Sequence, residues 1–142
     1  MSDFVTGKVV FVPPQGYVTP SWPSLYWPFQ ADAAMYLYYP EDILVSTLIW
    51  TMVIFIIMYG TAGIWAFFML RKSHALSYLV PWVFTGIGMF SGAVGGSVIG
   101  YVLGLVYNAG FFRMSTWVPF LWALIQALTM VVSSYPTIAR IL

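Results

Sequence analysis

The sequence predicts an all-α integral membrane fold: three transmembrane helices behind an extended N-terminal arm rich in aromatic residues and proline. Three observations lead there. The chain of 142 residues is 61% hydrophobic and only 6% charged, whereas soluble domains carry roughly a quarter charged residues. A chain this short cannot hide such an excess in a core, because a small domain exposes too much of its area. The few charges leave three long uncharged stretches, 43–70, 75–112 and 114–139, and each suffices for one crossing at about 20 residues. The residues before Glu41 differ in kind, being broken by Pro13, Pro14, Pro20, Pro23, Pro28 and Pro40.

The arm, residues 1–40, is expected to be ordered and extended on the membrane or on another protein. Phe4, Phe11, Tyr17, Trp22, Tyr26, Trp27, Phe29, Tyr36, Tyr38 and Tyr39 are too many aromatics for a disordered tail, and Trp and Tyr favour the membrane–water interface. Trp22, Tyr26, Trp27 and Phe29 are the candidate anchors for a partner or for that interface. Val9 to Val12 reads as a short strand. No basic start followed by a clean apolar run is present, so the first membrane helix is expected to act as an uncleaved targeting signal.

The three-helix domain spans 41–142, with helices at about 41–72, 79–108 and 116–140. Glu41 and Asp42 suit the positive end of the first helix dipole, and Arg71 and Lys72 the negative end. The second helix begins near Leu79 or Pro81 and stops at Asn108-Ala109-Gly110. The third carries Pro119 in its first turn, where proline is tolerated, and Pro136 near its end, where it is expected to kink or stop the helix. Arg71, Lys72 and Arg140 fall on one side of the membrane. All four acids fall on the other, with Lys8 and Arg113. The excess of bases marks the cytosolic side, which makes the N-terminus luminal and the C-terminus cytosolic.

The sharpest motif lies in the second helix. Gly88, Gly92, Gly96, Gly100 and Gly104 recur at every fourth residue and so form one ridge. Helices in lipid associate through close packing rather than a hydrophobic drive, and small residues permit it. The ridge is expected to pack against a helix of the same chain, with Gly60, Ala62, Gly63 and Ala66 as the small face opposite. Alternatively it meets another chain or leaves a groove for a lipid tail. Gln126 has an amide that needs partners in hydrocarbon, and an interhelical hydrogen bond is its expected role.

Catalytic chemistry is not indicated. No span holds an ionisable residue in its interior, which is where proton relays and ion paths show themselves. His74 sits in a basic loop away from every acid, and no nucleophile, carboxylate pair or metal set emerges. The chain has no cysteine, so disulfides and thiolate metal sites do not arise. A net charge of +1 leaves no electrostatic footprint for nucleic acid.

From Tyr39 to Leu142 the order of features resembles the transmembrane protein 170 family. The matching residues are Pro40-Glu41, Trp50, Ala62-Gly63, Leu70-Arg71, the glycine-rich second helix, Tyr107, Ala109-Gly110, Pro119-Phe120 and the ending Arg140-Ile141-Leu142. The first 38 residues do not share the resemblance. It implies a small three-helix protein of the endoplasmic reticulum and nuclear envelope, with a luminal N-terminus, a role in membrane shaping and no catalytic residue. Two functions follow as expectations. One is a structural or adaptor subunit of a larger membrane complex. The other is a lipid-handling subunit that helps load lipids into a large lipid-transfer protein. No cofactor is implied, and bound phospholipid is compatible with either.

Overall fold

The computed structural model describes residues 14–26, 35–71 and 75–139. Pro40 opens α1 (Pro40–Leu70), its missing N–H falling where a helix has no partner to offer. Glu41 and Asp42 occupy the first turn, and 31 residues carry the helix about 46 Å. A 3-10 turn, Ala75–Leu79, leads into α2 (Val80–Ala109), again with proline in the first turn. The third helix, α3, is Trp117–Ala139. Among the described residues, these three helices are long and apolar enough to cross a membrane.

α1 and α2 run antiparallel along their length, since Gly104 of α2 lies by Pro40 and Gly63 of α1 lies by Pro81. α3 packs mainly on α1 and makes little contact with α2. The centre of the bundle is therefore α1. The start of α1, the end of α2 and the start of α3 share one end. There β1 (Tyr36–Leu37) pairs antiparallel with β2 (Met114–Ser115), Tyr36 opposite Ser115 and Leu37 opposite Met114. Leu37, Ile43, Leu103 and Met114 form the buried cluster beneath this ladder. Elsewhere the surface is apolar, with Trp82 77% and Phe90 74% exposed, as a lipid-facing surface requires.

The helix bounds match the expected ones to within two residues. The two short strands were not expected. Each has only two residues, too few for an alternating pattern to register. Pro136 does not stop α3, which continues to Ala139. So close to the helix end, a proline removes a single late hydrogen bond. At the end of α2 the left-handed residue is Phe111, with φ 54°, and not Gly110, whose φ is −85°. The reversal is held by Gly110 N–H on Val106 O (3.0 Å) and Phe112 N–H on Tyr107 O (3.0 Å). The expected strand at Val9 to Val12 lies outside the described residues.

Candidate functional site

The glycine ridge faces α1 at five positions along α2. A Cβ built on Gly88 would lie 2.8 Å from Tyr59 Cβ, on Gly92 3.2 Å from Met52 Cα, and on Gly96 3.0 Å from Leu48 Cα. On Gly100 it would lie 3.1 Å from Leu44 Cα, and on Gly104 3.1 Å from Pro40 O. Gly88 also meets Phe55 O at 3.1 Å, so each step of four on α2 is answered by a step of three or four on α1, and the groups met are mostly backbone, which cannot rotate away. α1 thus fills the ridge, and no tail-sized groove remains along it. The reason is mutual: Gly63 of α1 comes within 2.9 Å of Pro81 Cα when given a Cβ, so the two backbones approach from both sides. Gly60 has only an ordinary contact, 3.8 Å from Thr85 Oγ1. Ala66 is half-buried, and Ala62, counted with the same small face, is exposed. Residues 62 and 63 point about 100° apart on a helix, so they cannot share a contact face.

Gln126 joins the three helices. Its amide nitrogen donates to Thr51 Oγ1 at 3.3 Å, and its Oε1 lies where a Cβ on Gly95 would be 2.8 Å away. Thr51 in turn donates to Thr47 O (2.8 Å) and Thr47 to Ile43 O (2.7 Å). Both threonines are fully buried, so each hydroxyl on α1 is satisfied by the turn before it. On α3, Pro119, Ala123 and Ala127 are buried at steps of four and form the small face that lets Gln126 reach inward. Beyond Ala127 the pattern stops. Every residue from Leu128 to Tyr135 is exposed, so this half of α3 stands off the α1–α2 pair. It carries Thr129 and Ser134, whose hydroxyls turn back to Ile125 O and Met130 O, and Ser133.

The described part of the arm is docked on its own bundle. Tyr17 Oη donates to Tyr36 O (2.9 Å), Thr116 Oγ1 to Ser24 O (2.9 Å) and Trp117 Nε1 to Tyr26 O (2.9 Å). Tyr26 Oη shares a hydrogen bond with Ser115 Oγ at 3.1 Å. Trp22 packs on Trp50, ring centroids 5.2 Å apart, and Trp50 on Phe120 at 5.0 Å. The Trp50 indole N–H is buried and unpaired among the described residues. Tyr17 meets Tyr38 edge-on at 4.7 Å, and Arg113 lies 4.3 Å from the centre of the Tyr36 ring, a cation–π distance. Burial pushes the Tyr17 hydroxyl above its ordinary pKa, and the charge of Asp42 adds to the rise. Trp22 and Tyr26, candidate anchors for a partner or for the membrane interface, each contact the bundle on one side, and Trp22 remains 45% exposed. A stiff, aromatic segment next to an apolar bundle end finds its first partner there. Trp27 and Phe29 lie outside the described residues, as do Lys72, His74 and Arg140. Arg71 is exposed at the end of α1, opposite the end that carries Glu41 and Asp42.

Between the arm and the first turns of α1 is a cavity of about 130 Å³ bordered by Thr19, Trp22, Asp42, Val45, Ser46 and Ile49. Sequence reasoning missed it, because residues 19–24 and 42–49 meet only through the fold of the arm. Among the described residues no three His, Asp or Glu side chains gather as a metal set.

Residues 36–142 match the family model described as transmembrane protein 170A/B-like. An uncharacterized protein of Saccharomyces cerevisiae is 37% identical over an alignment that covers all of this chain and all of that one. The likeness to the yeast protein therefore includes the arm, which the family model leaves out before residue 36. No solved structure matches the chain.

Proposed function

We propose, for a chain that belongs to the transmembrane protein 170A/B-like family, a non-enzymatic role as a structural or adaptor subunit of a larger complex in the endoplasmic reticulum membrane. Its contribution there is to membrane shaping. The observation that carries this reading is the distal half of α3. Eight consecutive residues, 128–135, are exposed on every side, though the same helix is buried against α1 at each fourth residue before them. Thr129, Ser133 and Ser134 sit in this stretch. Small hydroxyl residues favour helix–helix contact in lipid over contact with acyl chains. A transmembrane helix of another protein is the partner such a segment suits.

The rest of the chain supports the same division of labour. The α1–α2 pair is locked by backbone contact, which makes it a rigid base. The arm closes one end of that base. No cofactor enters this proposal, and the orientation proposed has the arm in the lumen and the α3 terminus in the cytosol, as the spread of charges favours.

Purification of the full chain in a mild detergent, with the co-eluting proteins identified by mass spectrometry, tests the proposal. A stoichiometric membrane protein is expected, and a chain that elutes alone in several detergents would contradict it. A second reading, a lipid-handling subunit that helps load a large lipid-transfer protein, is favoured by the same splay. Where α3 leaves the pair, its exposed surface is apolar at Leu128, Val131 and Val132. A large lipid-transfer protein among the co-eluting species favours this reading, and membrane-shaping proteins favour the first.

A further inference from the structure

We propose that the cavity beneath the arm at the start of α1 binds the primary ammonium group of an aminophospholipid. Its polar side is anionic. Asp42 accepts the Thr19 hydroxyl through Oδ2 at 3.1 Å, and its other oxygen takes no hydrogen bond among the described residues. Ser46, one turn further on, also borders the cavity. Thr47 and Thr51 on the same helix donate back to the preceding turn, but Ser46 does not, and its hydroxyl is left for a ligand. Among the described residues no Lys or Arg borders the cavity, so its described wall offers a charge partner to a cation and none to a phosphate. The volume of about 130 Å³ has room for several non-hydrogen atoms.

The choice of cation follows from the walls. Asp42, Ser46 and Thr19 offer oxygens that take N–H bonds, which an ammonium with three donors uses and a trimethylammonium cannot. A quaternary ammonium is held by a cage of aromatic faces, and among the described residues Trp22 alone brings an aromatic face to this cavity. The apolar wall decides for a lipid over a free amine. Val45 and Ile49 continue the stripe of Asp42 down α1 by steps of three and four, Val45 is 52% exposed, and Ile57 further along is 60% exposed. An acyl chain on this stripe would extend from a head group seated at Asp42, one turn inside the start of the span.

Native mass spectrometry of the full-length chain, released from micelles with equal phosphatidylethanolamine and phosphatidylcholine, tests this. Retention of phosphatidylethanolamine is expected to exceed that of phosphatidylcholine by roughly tenfold, the factor that one charge-assisted hydrogen bond supplies. Asp42→Asn, which keeps the shape and the Thr19 contact, should abolish the preference. Glu41→Gln, exposed and off the cavity, should leave it unchanged. Should Asp42→Asn fail to fold, Ser46→Leu, which fills the cavity, must remove the preference instead. Equal retention of the two lipids by the unaltered chain, or a preference that survives both Asp42→Asn and Ser46→Leu, would overturn the proposal. A melting temperature raised as much by millimolar ethanolamine as by phosphatidylethanolamine would overturn the lipid assignment.

Discussion

Gly96→Ala and Gly86→Ala make a matched pair, because both place one methyl on the same helix. Alanine gains about 1 kcal/mol over glycine in a helix interior, and that gain is common to both. They differ in what the methyl meets. At Gly86 nothing lies within 4 Å, while at Gly96 the methyl meets Leu48 Cα at 3.0 Å and Thr51 Cβ at 3.1 Å. Neither neighbour can rotate out of the way, so α1 and α2 must move apart by a few tenths of an ångström, and adjacent contacts loosen with them. Overpacking of this kind costs about 1–3 kcal/mol. Gly86→Ala is therefore expected to be neutral or stabilising, and Gly96→Ala to fall below it by that amount. Gly100→Ala should behave like Gly96→Ala, since Leu44 Cα lies at 3.1 Å. Gly96→Leu should cost more than either. The assay is reversible unfolding of the detergent-purified chain, followed by circular dichroism as a denaturing detergent is titrated. Stabilities of the Gly86 and Gly96 variants that agree within about 0.5 kcal/mol, the scatter of surface substitutions, would show that the helices do not meet in this register.

Three further outcomes follow from the structure. Gln126→Leu removes the bond to Thr51 Oγ1 and should destabilise the docking of α3 by about 1 kcal/mol, the scale of interhelical hydrogen bonds in lipid. In a chain without native cysteine, disulfide trapping between cysteines placed on α1 and α3 reads this loss directly. Thr116→Val and Trp117→Phe each remove one hydrogen bond that pins the arm, at about 1 kcal/mol apiece. Limited proteolysis should then cut between residues 14 and 26 faster while the helices stay protected, and unchanged cutting would mean that the arm is held otherwise. In intact microsomes an N-terminal tag should be protected from protease and a C-terminal tag cleaved, and the reverse pattern would invert the orientation.

The membrane fold was legible because charge is so scarce. Nine charged residues punctuate the chain, and each helix fills the gap between two groups of them. The ridge was legible as well, because glycine at every fourth residue has few other uses in a lipid-embedded helix. Its partner was not. Leu44, Leu48 and Met52 look like any apolar residues, and it is their backbone, not their side chains, that the glycines meet. The docking of the described part of the arm was not legible, because it depends on hydroxyl and indole groups some ninety residues away, at Ser115, Thr116 and Trp117. The cavity at Asp42 was hidden for the same reason. Asp42 by itself reads as a charge that suits the start of a helix, and only the return of Thr19 and Trp22 beside it makes a half-open pocket.

The central functional proposal turns on the distal half of α3, and one comparison tests it most directly. Thr129 and Ser133 lie four residues apart on the exposed surface, where Leu in place of both removes the small hydroxyl face without touching α1 or α2. The measurement is stoichiometric co-purification of membrane partners by the unaltered chain and by the Thr129→Leu, Ser133→Leu double variant, at matched expression and with equal unfolding stability confirmed. The expected result is a double variant that folds and inserts as before but elutes without its partner. Full retention of the partner by the double variant would contradict the proposal, and binding would then have to run through the arm or the outer faces of α1 and α2.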